Sequence, residues 1–145
     1  MLYEMMSPYL IVIFVAWFGA HLIKYTIGLI KKENNGVRAY LFVSGGMPSS
    51  HTATVIAMMT VIGLRDGVNS GLFGLAVLFA LIVMYDAMKV RRSSGEQGVA
   101  IRALIKEQKS KVDSPRVYRG HTPLEVAIGA LLGAIIGVVV FLSTI

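Results

Sequence analysis

The chain has three histidines and no cysteine. Chemistry near neutral pH therefore falls to imidazole, which can serve as acid, base or nucleophile. Thiol catalysis, disulfides and cysteine-bound zinc are excluded. His51 stands in Gly45-Gly46-Met47-Pro48-Ser49-Ser50-His51-Thr52, and His121 in Arg119-Gly120-His121-Thr122-Pro123-Leu124-Glu125. Gly45 and Gly46 permit a sharp turn with positive φ. Pro48 suits a first helical turn, and Ser49 or Ser50 can cap it. Thr122, Pro123 and Glu125 have the spacing of a capping box. Glu125 also lies four residues beyond His121, where its carboxylate could orient the imidazole and raise its basicity; on the residues alone both readings stay open. Each segment ends in a helix N-terminus, whose free N–H groups and partial positive charge favour an anion.

Other polar residues extend this set. His21 and Lys24, three positions apart, share a helix face along which Trp17 and Gly28 continue. Arg38, Arg91, Arg92 and Arg119 add fixed positive charge. Asp86 stands where an acid opposes the helix dipole and calls for a partner among Arg91, Arg92 and Lys24. A metal role for Asp86 would need more carboxylates than the sequence places near it. Ser93-Ser94-Gly95-Glu96-Gln97 reads as a polar turn that either starts a surface helix or lines the site.

The elements that position these residues are apolar. Of 145 residues, 55% are hydrophobic and 15% charged, against about 45–50% and about 25% in soluble domains. Mean hydropathy is +0.69. Disorder and an ordinary soluble enzyme are both disfavoured. Four apolar runs, about residues 8–30, 48–64, 72–88 and 123–144, predict an all-α, polytopic transmembrane bundle forming a single domain over 1–145. The second run is short for a span, so it is tilted, re-entrant or sheltered by its neighbours. Residues 1–9 carry Glu4 and no Lys or Arg, unlike a signal peptide, so the first run is expected to persist in the mature protein.

The net charge of +6 sits in loops between apolar runs, without aromatic interleaving, so nucleic acid is not the expected partner. Lys31, Lys32 and Arg38 fill the first loop. Nine Lys and Arg residues, from Lys89 to Arg119, fill the third, about residues 89–122. The positive-inside rule places both loops, and all three histidines, in the cytoplasm of a multi-pass cell-membrane protein with both termini outside. Ile101, Leu104 and Ile105 form the apolar stripe of a short amphipathic surface helix over Val99–Lys109, lying on the membrane or packed against the bundle. Arg102, Lys106 and Lys109 lie off the stripe, as contacts to lipid headgroups. Gly129, Gly133 and Gly137 form a close-packing stripe, for the bundle or for a homodimer.

Gly46-Met47-Pro48-Ser49-Ser50-His51 resembles the second signature of the type-2 phosphatidic acid phosphatase and vanadium haloperoxidase superfamily. Gly120-His121-Thr122-Pro123-Leu124-Glu125 resembles the end of its third. With Tyr85-Asp86-Ala87 and Val90-Arg91-Arg92, the chain looks like the small divergent branch of that superfamily. Ser50 stands where the signature has Gly and Glu125 where it has Asp. Pro115 stands where an Arg usually precedes the nucleophile. No Lys-x6-Arg-Pro first signature is present, and Lys24 and Arg38 are placed there by guess alone.

The resemblance implies that His121 attacks phosphorus, that Glu125 orients it and that His51 protonates the leaving oxygen. Ser49, Ser50, Lys24, Arg38, Arg91, Arg92 and Arg119 would hold phosphate, supported by His21 and Asp86. No metal or other cofactor is required. The expected partners are membrane lipids, and the expected substrate is a lipid phosphate such as a phosphatidic acid or a polyprenyl phosphate. The alternatives are a non-catalytic protein that binds or moves an anionic lipid through the same pocket, and a structural bundle whose basic loops contact a partner.

Overall fold

The computed structural model describes residues 7–31, 46–115, 117 and 120–145. Helix α1 spans Pro8–Ile30, α2 Ser50–Arg65, α3 Gly71–Tyr85, α4 Arg91–Glu107 and α5 Pro123–Ser143. A π-helical turn, Asp86–Val90, joins α3 to α4, so Gly71–Glu107 is one uninterrupted helix of 37 residues. The protein is a helical membrane bundle. Among the described residues, three helices are long and apolar enough to cross a membrane. The outward residues Phe14, Phe18, Leu78, Phe79 and Leu131 are more than half exposed, as lipid-facing side chains are.

Helix α2 has 16 residues, about 24 Å at about 1.5 Å per residue, short of the roughly 30 Å hydrocarbon layer. Shelter resolves the mismatch, because α2 is the central helix, packed on α1, α3 and α5. Its hydroxyls are satisfied internally: Thr54 and Thr60 donate to the carbonyls of Ser50 and Ile56 at 2.9 and 2.8 Å, as an apolar surround demands.

The glycine stripe of α5 is taken up inside the bundle. A Cβ on Gly129 would lie 2.6 Å from the Ser49 carbonyl oxygen, one on Gly133 would strike the Ala53 carbonyl, and one on Gly137 would meet Ala57 and Thr60. Each step of four on α5 matches a step of about four on α2, so the two helices run parallel with adjacent N-termini. The internal bundle, not a dimer contact, explains this stripe. Helix α1 turns Val12, Ala16, Ala20, His21, Lys24 and Gly28 inward. Val12 and Ala16 meet Ala57, Val61 and Val140 in the core.

Two expectations change. Ser93–Gln97 is helical, not a turn, and the segment read as a loop from residue 89 stays helical to Glu107. The π turn carries the α3 helix through the polar segment without a break. The surface helix is thus the outer part of a helix about 55 Å long, too long to lie wholly within a bilayer. Pro48 is not in the helix but precedes its cap, after a cis Met47–Pro48 peptide. Gly46, at φ +79°, makes the turn that glycine permits.

Candidate functional site

The two histidine segments meet where α2 and α5 begin. The Ser49 N–H donates to the Glu125 carbonyl at 3.2 Å, locking one helix start to the other. Ser49 is the cap of α2: its hydroxyl accepts from the Thr52 N–H at 3.5 Å and from the Thr52 hydroxyl at 3.0 Å. That hydroxyl is fully buried and holds the helix end. Ser50, also buried, makes no side-chain hydrogen bond among the described residues. His51, one position on, is exposed at the mouth of the site.

His121 is buried, at 4% exposure. Its Nδ1 lies 3.2 Å from Glu125 Oε2, while the same oxygen accepts the Thr122 N–H at 2.9 Å. Thr122 completes the capping box by accepting from the Glu125 N–H at 3.3 Å. Glu125 therefore caps the helix and contacts the imidazole with one oxygen; the two readings of this residue coexist. With Nδ1 held by the carboxylate, Nε2 is left to act. Burial pushes the His121 pKa below its ordinary value. Glu125 pulls it up through its hydrogen bond and charge, and Lys24 and Arg91 push it down. The result favours a neutral imidazole at pH 7, the form with a lone pair to give.

Arg91, His121, Lys24 and His21 all bear electrostatically on His51. Lys24 is 6% exposed, feels the Glu125 carboxylate, and has no hydrogen-bond partner among the described residues. His21 is anchored through Nδ1 to the Trp17 carbonyl at 2.8 Å, with the Trp17 ring centroid 4.2 Å from its own. Arg91 Nε donates to Asp86 Oδ2 at 2.6 Å, which resolves the partner that Asp86 required. Arg92 instead pairs with Glu96 at 3.2 Å on an exposed face. Its side chain lines a groove of about 290 Å³ beside His121 but does not join the cluster around His51. Arg38 and Arg119 lie outside the described residues. Among those described, no set of three acidic or histidine side chains converges to hold a metal.

One group at the site escaped the sequence reading. The Ala87 carbonyl, within the π turn, accepts the His121 N–H at 2.9 Å. An i to i+5 pattern, here Arg91 N–H to Asp86 C=O, shifts carbonyls out of α-helical register, and such turns recur at functional sites. No side-chain type marks it. The run Asp86-Ala87-Met88-Lys89-Val90 mixes Asp86 and Lys89 with apolar residues and carries no pattern that marks a π turn.

The fold is that of a helical membrane bundle, with two imidazoles at adjacent helix starts beside the buried Lys24 and the braced Arg91. The chain belongs to the Divergent PAP2 family, whose model matches residues 5–136. It is also 37% identical over 111 residues to the uncharacterized membrane protein YuiD of Bacillus subtilis strain 168, a match covering 66% of this chain and 70% of that one. No solved structure matches it significantly.

Proposed function

We propose that this chain is an integral-membrane phosphatase that hydrolyses a lipid phosphate at the cytoplasmic face. The observation that carries the reading is the convergence of His121, His51, Lys24 and Arg91 where α2 and α5 start together. His121 Nε2 attacks phosphorus; the bond from phosphorus to the lipid oxygen breaks, and His51 gives its proton to that oxygen. Water then cleaves the phosphohistidine, releasing inorganic phosphate and restoring both imidazoles. Lys24 and Arg91 stabilise the equatorial oxygens, where charge develops. Glu125 orients the nucleophile, and Asp86 braces Arg91.

An apolar groove of about 430 Å³ supports a lipid substrate over a soluble one. Thr54, Val55, Met58 and Ile62 line it between α1 and α3. They continue the face of α2 that begins at His51, so a chain attached to a phosphate at His51 has apolar wall beneath it. The Lys and Arg residues at this end of the bundle support its facing the cytoplasm.

The test is phosphate release by the purified protein from phosphatidic acid and from a polyprenyl phosphate, beside His121→Ala and His51→Ala. Wild-type turnover with a loss of at least about 10³-fold in His121→Ala is expected. If wild type and both variants equal the no-protein control while lipid binding persists, catalysis is wrong and the binding protein replaces it.

A further inference from the structure

The loop that delivers His121 does not hang free. Its described residues run opposite to the continuous helix Asp86–Glu107 and touch it at four points in order, three on α4 and the last on the π turn. Arg102 Nε donates to the Pro115 carbonyl at 2.8 Å. Gly98 receives Val117: a Cβ on that glycine would lie 3.1 Å from Val117 Cγ2. Gly120 lies against the Arg92 backbone, where a Cβ would come within 2.5 Å of the nitrogen. The His121 N–H then closes on Ala87.

On the helix side, Arg91, Gly95, Gly98 and Arg102 fall at i, i+4, i+7 and i+11, a single face. Gly95 and Gly98 are the buried residues of α4, although helical glycine costs about 1 kcal/mol relative to alanine. A solvated basic helix has no use for two glycines on one face. A helix that must accept a backbone segment at close range does.

We propose that α4 is a splint for the His121 loop, with Arg102, Gly98 and Gly120 as positioning residues that set where the imidazole stands against Arg91 and His51. Arg102 is then a tether to a backbone carbonyl rather than a headgroup contact, unlike Lys106 and Lys109. The structural part of the proposal rests on these contacts; its kinetic consequence rests on the role given to His121 above.

The decisive comparison is between Arg102→Ala and Arg102→Gln in the full-length protein in nanodiscs. Glutamine places an N–H donor at the same number of bonds from the backbone as arginine Nε, without the charge. A tether predicts faster amide exchange over residues 112–122 in Arg102→Ala, by about fivefold, the effect of about one net hydrogen bond. It also predicts a similar fall in kcat on phosphatidic acid with KM unchanged, and near wild-type behaviour in Arg102→Gln. Gly120→Ala should show the same loss of kcat with no change in lipid binding. If alanine and glutamine behave alike, charge is what Arg102 supplies and the splint is wrong. Unchanged exchange in Arg102→Ala overturns it equally. Should the wild type show no turnover on any lipid phosphate, the phosphatase reading fails while the exchange measurements still decide the splint.

Discussion

The two ends of the bundle handle polar groups in opposite ways. At the end opposite the histidines, Tyr9 donates to Asp66 at 2.7 Å, and Arg65 donates to the carbonyl and hydroxyl of Thr144. Ser70 caps α3 through the Phe73 N–H at 3.1 Å, after a turn in which Gly67 has φ +85°. These groups are exposed or half-buried and satisfy one another. At the histidine end, Lys24 and His121 are buried, and among the described residues positive and imidazole groups outnumber the carboxylates of Glu125 and Asp86. A buried charge without a full partner is destabilising. One end therefore closes the fold on itself; the other carries an excess of positive and imidazole groups, which the proposed anionic substrate would offset.

Breaking the shared scaffold should have the largest effect. Gly133→Leu drives a side chain into the α2 backbone at Ala53, and both ends should fail together, with a loss of about 3 kcal/mol or more. Thermal unfolding in detergent reads this. Gly19→Ala, whose Cβ would lie an ordinary 3.5 Å from Ile136, should hold or raise the unfolding midpoint, by at most the ~1 kcal/mol that a helical glycine costs.

Next comes the sharpest contrast between the ends. Lys24→Met removes the buried charge, so thermal stability should hold or rise, while vanadate affinity falls by about tenfold or more, or about 1.4 kcal/mol. A destabilised Lys24→Met that still binds vanadate would mean that the charge serves the fold and not an anion.

A pH experiment addresses His121 itself. Its folded-state pKa is lowered chiefly by burial, so the unfolded chain takes up the proton more readily. The stability contribution is fully present above the ordinary histidine pKa of about 6.5, and is lost as pH falls through that value toward the lower folded one. His121→Asn should remove this part of the acid sensitivity, measured as unfolding midpoint against pH. Glu125→Gln removes both influences that raise the His121 pKa, so the acid limb of the activity profile should move to lower pH.

The smallest effect belongs to the self-satisfied end. Tyr9→Phe breaks an exposed hydrogen bond and should change stability by no more than about 0.5 kcal/mol, with turnover unaffected.

Much of this architecture was legible because hydropathy and capping are local. The apolar runs, the Thr122 capping box and the glycine spacing of α5 each follow from residues within a turn or two of one another. The pairing of Asp86 with Arg91 was among the partners expected, since both lie at the end of one helix. What eluded the sequence depended on close backbone approach. The polar segment Ser93–Gln97 has turn-like composition, yet neighbouring helical register carries it through. Arg102 looked like its basic neighbours, because a carbonyl thirteen residues ahead leaves no mark on local pattern. The split between Arg91, which faces the histidines, and Arg92, which faces Glu96, is a matter of about 100° around a helix. Once the π turn displaces that register, periodicity can no longer give it.

The order of amino acids determined that this is an apolar helical membrane protein, where its helices start, and that imidazoles and cations cluster at particular starts. Helix starts and apolar length depend on short-range hydrogen bonding and solvent transfer, which neighbouring residues settle among themselves. Only the folded molecule decided which starts stand together, which cations face the cleft, and that one carboxylate oxygen of Glu125 serves both its helix and His121. Those outcomes depend on parallel helices meeting backbone to backbone, a relation between distant segments set by packing as a whole.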